Sequence, residues 1–311
     1  MRLVWGMNMN FFDLHCDTVS RCCFKSIIGK KSIKKSILKN NFHIDLERGK
    51  STFERWVQTF AFWIDDKIRS ERAYRLFLKQ YEYFQKFSLP LYSGNFDLDF
   101  CAVLMVEGGL LIGKDIHKIY ELKKKNIKTL TLTWNHENDI ASGALDFGGL
   151  KPFGKQVVLE LENQNIVVDV SHLNEESFWD VVRVAKKPFI ATHSNARKVC
   201  ENVRNLKDDQ INEIKNCKGI IGLNFYKLFL GKDSKNGIGA LIRHIDHFLK
   251  LGCEDILAIG SDFDGADMPD DIKDITSVLD VNRAICENFG DEVARKIMFE
   301  NARRFFEKTF I

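Results

Sequence analysis

Eight apolar, β-rich runs recur along this chain with helical patterns between most of them, and that alternation restricts the folds open to it. The runs are 11–17, 57–64, 100–107, 129–134, 166–172, 188–193, 219–225 and 256–262. Helical periodicity falls near 69–87, 115–125, 154–164, 175–185, 208–216 and 238–251, and two further helical stretches, 276–289 and 291–308, close the chain. Strands that alternate with helices pair in parallel through right-handed crossovers. Near-continuous apolar strands belong in a sheet buried on both faces. Eight such units favour a closed (β/α)8 barrel of the TIM type over an open doubly wound sheet. No Gly-x-Gly-x-x-Gly follows a strand to support the open alternative. The 311 residues show no internal repeat and no linker, so 1–311 reads as one domain. The long stretch between the first two runs, 22–52, is expected to be an irregular excursion near the barrel mouth. Met7 and Met9 are alternative starts, which would leave residues 1–8 outside the fold.

In a barrel of this kind the active site lies at the C-terminal ends of the strands. Five of the eight runs end there in ionisable residues: His15 and Asp17, Glu107, His172, His193, and Asp262. Side chains along a strand alternate between faces. By that rule His15 and Asp17 project together, and Phe12, Leu14 and Cys16 share the other parity. Val103, Met105 and Glu107 line up, as do Phe189, Ala191 and His193, and Ala258, Gly260 and Asp262. Any one of these polar residues alone would suit a hydrogen-bonded core position. Six on one rim would be costly to bury without compensation, and a pair of divalent ions supplies it.

The donor set is His, Asp and Glu without thiolate, which suits catalytic Zn²⁺ with open positions. Two ions about 3.5–4 Å apart need a bridging carboxylate, and Glu107 is the natural one. His15 and Asp17 would serve one ion, His172 and His193 the other. Asp262 is left as a fifth ligand or as a proton shuttle.

The net charge of +3 gives no nucleic-acid footprint. The Lys-rich run 25–39 reads as a solvated loop or helix face. No apolar run approaches the ~18 residues of a membrane span, and the N-terminus is too short and polar for a signal peptide. The eight cysteines lack C-x-x-C spacing and read as reduced thiols, which points to the cytoplasm. His43, His117, His244 and His247 lie off the strand ends and read as surface or helix-packing residues.

Six segments resemble the membrane (renal) dipeptidases, binuclear zinc peptidases among the amidohydrolase-like barrels. They are DLHCDT (13–18), VEGG (106–109), LTLTWN (130–135), VDVSH (168–172), THSNARKVCENVRN (192–205) and GSDFDG (260–265). The segment 43–64 also resembles the family's second-strand region, and 289–306 resembles its last helix. The resemblance implies metal ligands at His15, Asp17, Glu107, His172 and His193, with Glu107 bridging two zinc ions. It implies a substrate-binding arginine at Arg204, eleven residues after His193, and the catalytic acid/base at Asp262. Spacing alone would not single out Arg204.

Two departures from the family stand out. Where many members carry a substrate-contacting His after the LTLT segment, this chain has Trp134; His136, two residues on, is either its substitute or a loop residue. The helix before that strand ends Asn126-Ile127-Lys128 rather than Gly-hydrophobic-Arg, and Asn tolerates the left-handed C-cap that Gly normally fills.

The reading is a zinc-dependent dipeptidase that hydrolyses free dipeptides, including those with a D residue second, through a metal-bridging hydroxide. Its partner is the dipeptide; neither nucleic acid nor membrane is expected, and a second copy of the chain is an allowed partner. The rival readings are another binuclear-metal amide or lactone hydrolase on the same barrel, and a non-catalytic metal- or peptide-binding protein.

Overall fold

The computed structural model describes residues 9–27, 36–231 and 235–310. Residues 1–8 and most of the Lys-rich run lie outside that range. Seven strands form one all-parallel sheet: β1 (Asn10–Cys16), β2 (Arg55–Trp63), β3 (Phe100–Glu107), β4 (Ile127–Thr131), β5 (Val167–Asp169), β6 (Ile221–Leu223) and β7 (Leu257–Ile259). Their order is β5-β4-β3-β2-β1-β7-β6. The expected run 188–193 is not a regular strand, yet it joins the two edges of this sheet. Ile190 N–H donates to Val168 O at 3.0 Å and Ile190 O accepts from Val170 N–H at 2.8 Å. On its other side Ala191 N–H donates to Ile220 O at 3.0 Å, and Ala191 O accepts from Gly222 N–H at 2.8 Å. The ring is thereby closed. Only Ile190 and Ala191 form bridges, with Ser194 N–H adding one bond to Gly222 O at 2.8 Å, because Pro188 has no N–H to give and the chain turns at Thr192 and His193.

The alternating helices sit close to where apolar periodicity put them, as in Asp208–Asn216 and Gly237–Lys250. Asn126 caps its helix with φ 61°, the left-handed conformation expected of it. Several boundaries differ from expectation: β5, β6 and β7 are three residues each where runs of seven were expected. The fourth strand stops at Thr131, leaving Trp134 in the loop beyond. The last helix is interrupted by a π turn, Lys296–Glu300, between Asp291–Arg295 and Asn301–Thr309. Among the described residues, no helix is long and apolar enough to cross a membrane.

The barrel interior is apolar at its lower end. Phe12, Leu14, Val57, Val103, Ile190 and Ala258 cluster there with Phe305 and Phe306 of the closing helix. Phe11, Cys16, Phe60, Phe189 and Ala191 belong instead to the outer core beneath the helices. Two parity expectations are corrected by this. Cys16 does not share a face with Phe12 and Leu14, because β1 carries one extra residue against β2 between Asp13 and Cys16. Such a bulge re-aims the side chains that follow it. Phe189 and Ala191 do not share a face with His193, because His193 lies in the turn beyond the paired residues, where alternation no longer holds. Gly260 is close-packed: a Cβ there would collide with Thr192 O.

The excursion after β1 is partly regular. It begins as the helix Thr18–Ile27 and ends in the helix Leu46–Thr52, capped by Asp45. Its end packs on the loop after β7, where His43 N–H and Ile44 N–H donate to the Asp264 carboxylate at 2.7 and 3.4 Å. That contact brings it to the rim, as expected.

Candidate metal centre

The upper end of the barrel gathers the ionisable strand-end residues. Glu107, the last residue of β3, lies between three imidazoles. Its Oε2 is 3.5 Å from His15 Nε2; its Oε1 is 2.8 Å from His172 Nε2 and 3.5 Å from His193 Nε2. Asp17 Oδ2 is 3.2 Å from His15 Nε2. Ligand atoms of His15, Glu107 and His193 lie within 4.8 Å of one another, as do those of His15, Asp17 and Asp262. All of these side chains except that of Asp262 are buried. The five expected ligands and Asp262 therefore come together, with Glu107 facing two ways.

The backbone that aims them is strained where strand becomes loop. His172 has φ 69° and Asp262 has φ 60°, values that non-glycine residues adopt at a cost and that concentrate at functional sites. Strand alternation therefore did not govern the residues that matter most.

Hydrogen bonds behind the cluster hold His172, His193 and Asp262. Asn135 Oδ1 accepts from His172 Nδ1 at 2.9 Å, so this ring carries its proton on Nδ1 and presents a lone pair at Nε2. His193 Nδ1 meets Thr192 Oγ1 at 2.8 Å. Asn224 Nδ2 donates to Asp262 Oδ2 at 2.9 Å. Asp13, also buried, accepts from Ser261 Oγ at 2.6 Å, Gln58 Nε2 at 2.9 Å and His15 N–H at 3.2 Å, tying the bulge of β1 to β2 and to the end of β7.

Charge and burial set the ionisation. Burial pushes Glu107 up to about 7, with Asp17 adding to the effect and His15 opposing it. Asp262 keeps some exposure as a residue, but desolvation of its carboxylate pushes it up to about 6, against the pull of His15. Burial lowers His172 and His193 well below the ordinary histidine range, helped by Arg204 for the former and by His15 for the latter. At His15 burial works downward too, but Glu107 and Asp17 together outweigh it and hold this ring well above that range.

A cation fits this donor set. His172 Nε2 and His193 Nε2 face each other at 2.9 Å between neutral rings, and Asp17 Oδ1 and His15 Nδ1 are buried without a hydrogen-bond partner. Unpaired polar atoms in a buried site are expensive. Nitrogen and carboxylate oxygen donors without thiolate match zinc chemistry.

Arg204 lies on the loop after His193, 7% exposed. Its guanidinium stacks 5.4 Å from the Phe229 ring. Nε and Nη2 have no hydrogen-bond partner. Burial brings it down to about 10, while Asp262 and Glu107 favour its charge; it stays cationic at neutral pH. Trp134 packs 6.2 Å from the His172 ring and edge-on to Trp63 at 5.0 Å, so it borders the cluster. The His136 ring is paired with Asp146 at 3.4 Å, and its backbone N–H donates to Asp66 at 2.8 Å.

Of the other histidines, His117 is exposed and His247 pairs with Asp208 at 2.7 Å. His244 is fully buried on a helix and ties the loop after His193 to the short helix Lys227–Leu230. Its Nδ1 accepts from Ala196 N–H at 3.2 Å and its Nε2 donates to Leu230 O at 3.1 Å. His43 comes closest to the rim, its Nδ1 accepting from Asp264 N–H at 2.9 Å. Sequence reasoning assigned no role to Asp13, Asn135, Asp169, Thr192 or Asn224. The available signal was a buried-type strand carrying an acid: Asp13 in FFDL and Asp169 in VVDV.

A family model described as membrane dipeptidase (peptidase family M19) matches residues 6–310. A metallo peptidase from Rhodobacter sphaeroides, solved with a phosphinate mimic of the dipeptide L-Ala-D-Ala, superposes with a TM-score of 0.87 at 25% identity over 97% of this chain and 99% of that one. The dipeptidase AC, a metallo peptidase of the same family, superposes with a TM-score of 0.88 at 26% identity over the same shares. An uncharacterised dipeptidase of Schizosaccharomyces pombe is 29% identical over 66% of this chain and 52% of its own length. An uncharacterised Klebsiella pneumoniae protein encoded in the pqqA 5′ region is 31% identical over 64% of this chain and 77% of its own.

Proposed function

Because the chain belongs to the membrane dipeptidase family, a family of metal-dependent hydrolases acting on dipeptides, we propose that it is a zinc enzyme with two ions per chain that cleaves free dipeptides, including those with a D residue second. The observation that carries this reading is the Glu107 carboxylate, one oxygen toward His15 and the other toward His172 and His193. His15, Asp17, Glu107, His172 and His193 would hold the metal, with Glu107 shared. When bound, the ions supply Lewis acidity toward the scissile carbonyl and an activated water.

The chain's own residues do the rest. Asp262, held by Asn224, takes a proton on the side facing the cluster and returns it to the leaving amine as general acid. Arg204 offers two unpartnered donors, which suit a forked pair of hydrogen bonds to the dipeptide's terminal carboxylate. Trp134 supplies an apolar wall beside His172. Anchoring one terminus by Arg204 limits the substrate to the length that reaches the metals.

A dipeptide library with added Zn²⁺, including L-Xaa-D-Xaa members, tests the reading. Hydrolysis of free dipeptides supports it. Turnover confined to lactones or cyclic amides would transfer the site to a different hydrolase, and zinc binding with no turnover would make the protein a binder.

A further inference from the structure

Behind His193 lies a chain of buried hydrogen bonds that ends on a carboxylate with no part in the metal cluster. Asp169, the last residue of β5, is fully buried, as are Thr131, Thr192 and His193 around it. Its Oδ1 accepts two backbone donors, Ser171 N–H and Thr192 N–H, each at 3.0 Å. Its Oδ2 accepts two hydroxyls, Thr131 Oγ1 and Thr192 Oγ1, each at 2.7 Å. Thr192 Oγ1 is in turn 2.8 Å from His193 Nδ1.

These contacts leave one arrangement of protons. The Asp169 carboxylate is met by two backbone N–H groups and two hydroxyls and by no acceptor, so it accepts from all four, and the single hydroxyl proton of Thr192 points at it. The Thr192 oxygen then faces His193 Nδ1 with a lone pair, and Nδ1 must be the donor. A neutral imidazole carries one N–H, so Nε2 is bare. That bare Nε2 is the atom facing Glu107 and His172.

We propose that Thr192 and Asp169 are positioning residues that lock His193 in its Nδ1–H tautomer and so keep Nε2 free for a metal. The inference rests on His193 being a ligand, as read above. Hydrogen bonds of this kind behind a ligand fix ring orientation and tautomer, and losing them weakens metal binding about 10–100-fold.

Asp169→Asn has a directional consequence. The two backbone N–H groups demand an acceptor at the Oδ1 position, so the amide oxygen sits there and the NH₂ takes the Oδ2 position. The NH₂ donates to Thr192 Oγ1, the Thr192 proton swings to His193 Nδ1, and the ring is driven to the Nε2–H form, which cannot ligate. The message reaches the ring nitrogen through the Thr192 hydroxyl, since Ser171 Oγ meets His193 only at its backbone N–H, at 3.3 Å, and otherwise Thr192 Oγ1 itself, at 3.4 Å.

The test uses ¹⁵N-histidine-labelled full-length protein, stripped of metal for ring-nitrogen NMR and reloaded with zinc for chelator competition. In the parent, His193 is expected to show a protonated Nδ1 and a bare Nε2. Thr192→Val should populate the Nε2–H form and weaken zinc binding about 10–100-fold, while Thr192→Ser should restore both. Asp169→Asn should shift the tautomer in the Thr192 parent and leave it unmoved in the Thr192→Val background, a non-additivity specific to the relay. A purely structural role would move thermal stability without moving the tautomer. The proposal is overturned if Thr192→Val keeps the Nδ1–H form with zinc affinity within about twofold of the parent, or if Asp169→Asn acts equally in both backgrounds. A parent that binds no zinc would remove the metal reading instead, and the ring spectra of the stripped protein would still decide the lock.

Discussion

Replacing Arg204 with alanine is expected to cripple hydrolysis of free dipeptides and to spare a substrate that lacks the terminal carboxylate. Arg204 is 7% exposed, and its Nε and Nη2 have no partner within the protein. Its charge survives burial, which lowers it only to about 10. A substrate carboxylate would therefore meet a desolvated fork with both donors free. Removing one partner of such a pair costs about 3–5 kcal/mol, because the other charge is left buried and unpaired. With 1.4 kcal/mol per factor of ten, kcat/KM for a free dipeptide should fall about 10²- to 4 × 10³-fold. Arg204→Lys should also be impaired, since a point charge replaces the planar fork and loses the stacking on Phe229. The assay pairs each dipeptide with its C-terminal amide. The amide should be a poor substrate of the parent and lose little more in Arg204→Ala. Equal losses for dipeptide and amide would refute the carboxylate anchor and place the effect in folding or loop position.

Asp262→Asn should retain its metal and lose about 10²-fold or more in kcat, the scale of general acid–base groups; metal analysis showing loss of an ion would make Asp262 a ligand instead. His244 gives a pH dependence of stability. Burial first, then nearby Arg243, lower it to about 4 from the ordinary 6.5, while its hydrogen bond to Leu230 opposes them. A histidine lowered by folding stabilises the native state above about pH 6.5, and that stability drains away as pH falls toward 4. The full effect is up to about 3 kcal/mol at 1.36 kcal/mol per pH unit. Urea unfolding of parent and His244→Gln between pH 7 and 4 should show a steeper loss in the parent; parallel curves would remove His244 as the titrating group.

The closed barrel was legible because it rests on periodicity: apolar runs and amphipathic helices report burial residue by residue. The cluster at the rim was legible because five runs ended in acids or histidines. What alternation could not reach were the residues just past the strands. His172 and Asp262 aim their side chains through left-handed backbone, His193 lies in a turn, and the bulge in β1 exchanges faces between Leu14 and Cys16. None of these leaves a period in the sequence. Arg204 came only from a resemblance, since a loop arginine is ordinarily exposed; its burial and its unpartnered donors are properties of the folded loop. The Thr192–Asp169 relay depends on contacts between β4, β5 and the segment that closes the ring, which no single stretch of sequence contains.

The central claim, that Glu107 joins two zinc ions, is tested most directly by counting metal. The parent protein, produced with zinc in the medium and desalted, should carry about two Zn²⁺ per chain by elemental mass spectrometry, and Glu107→Gln should carry at least one fewer while remaining folded. A parent with no bound metal, or a Glu107→Gln variant with undiminished zinc, would contradict the account.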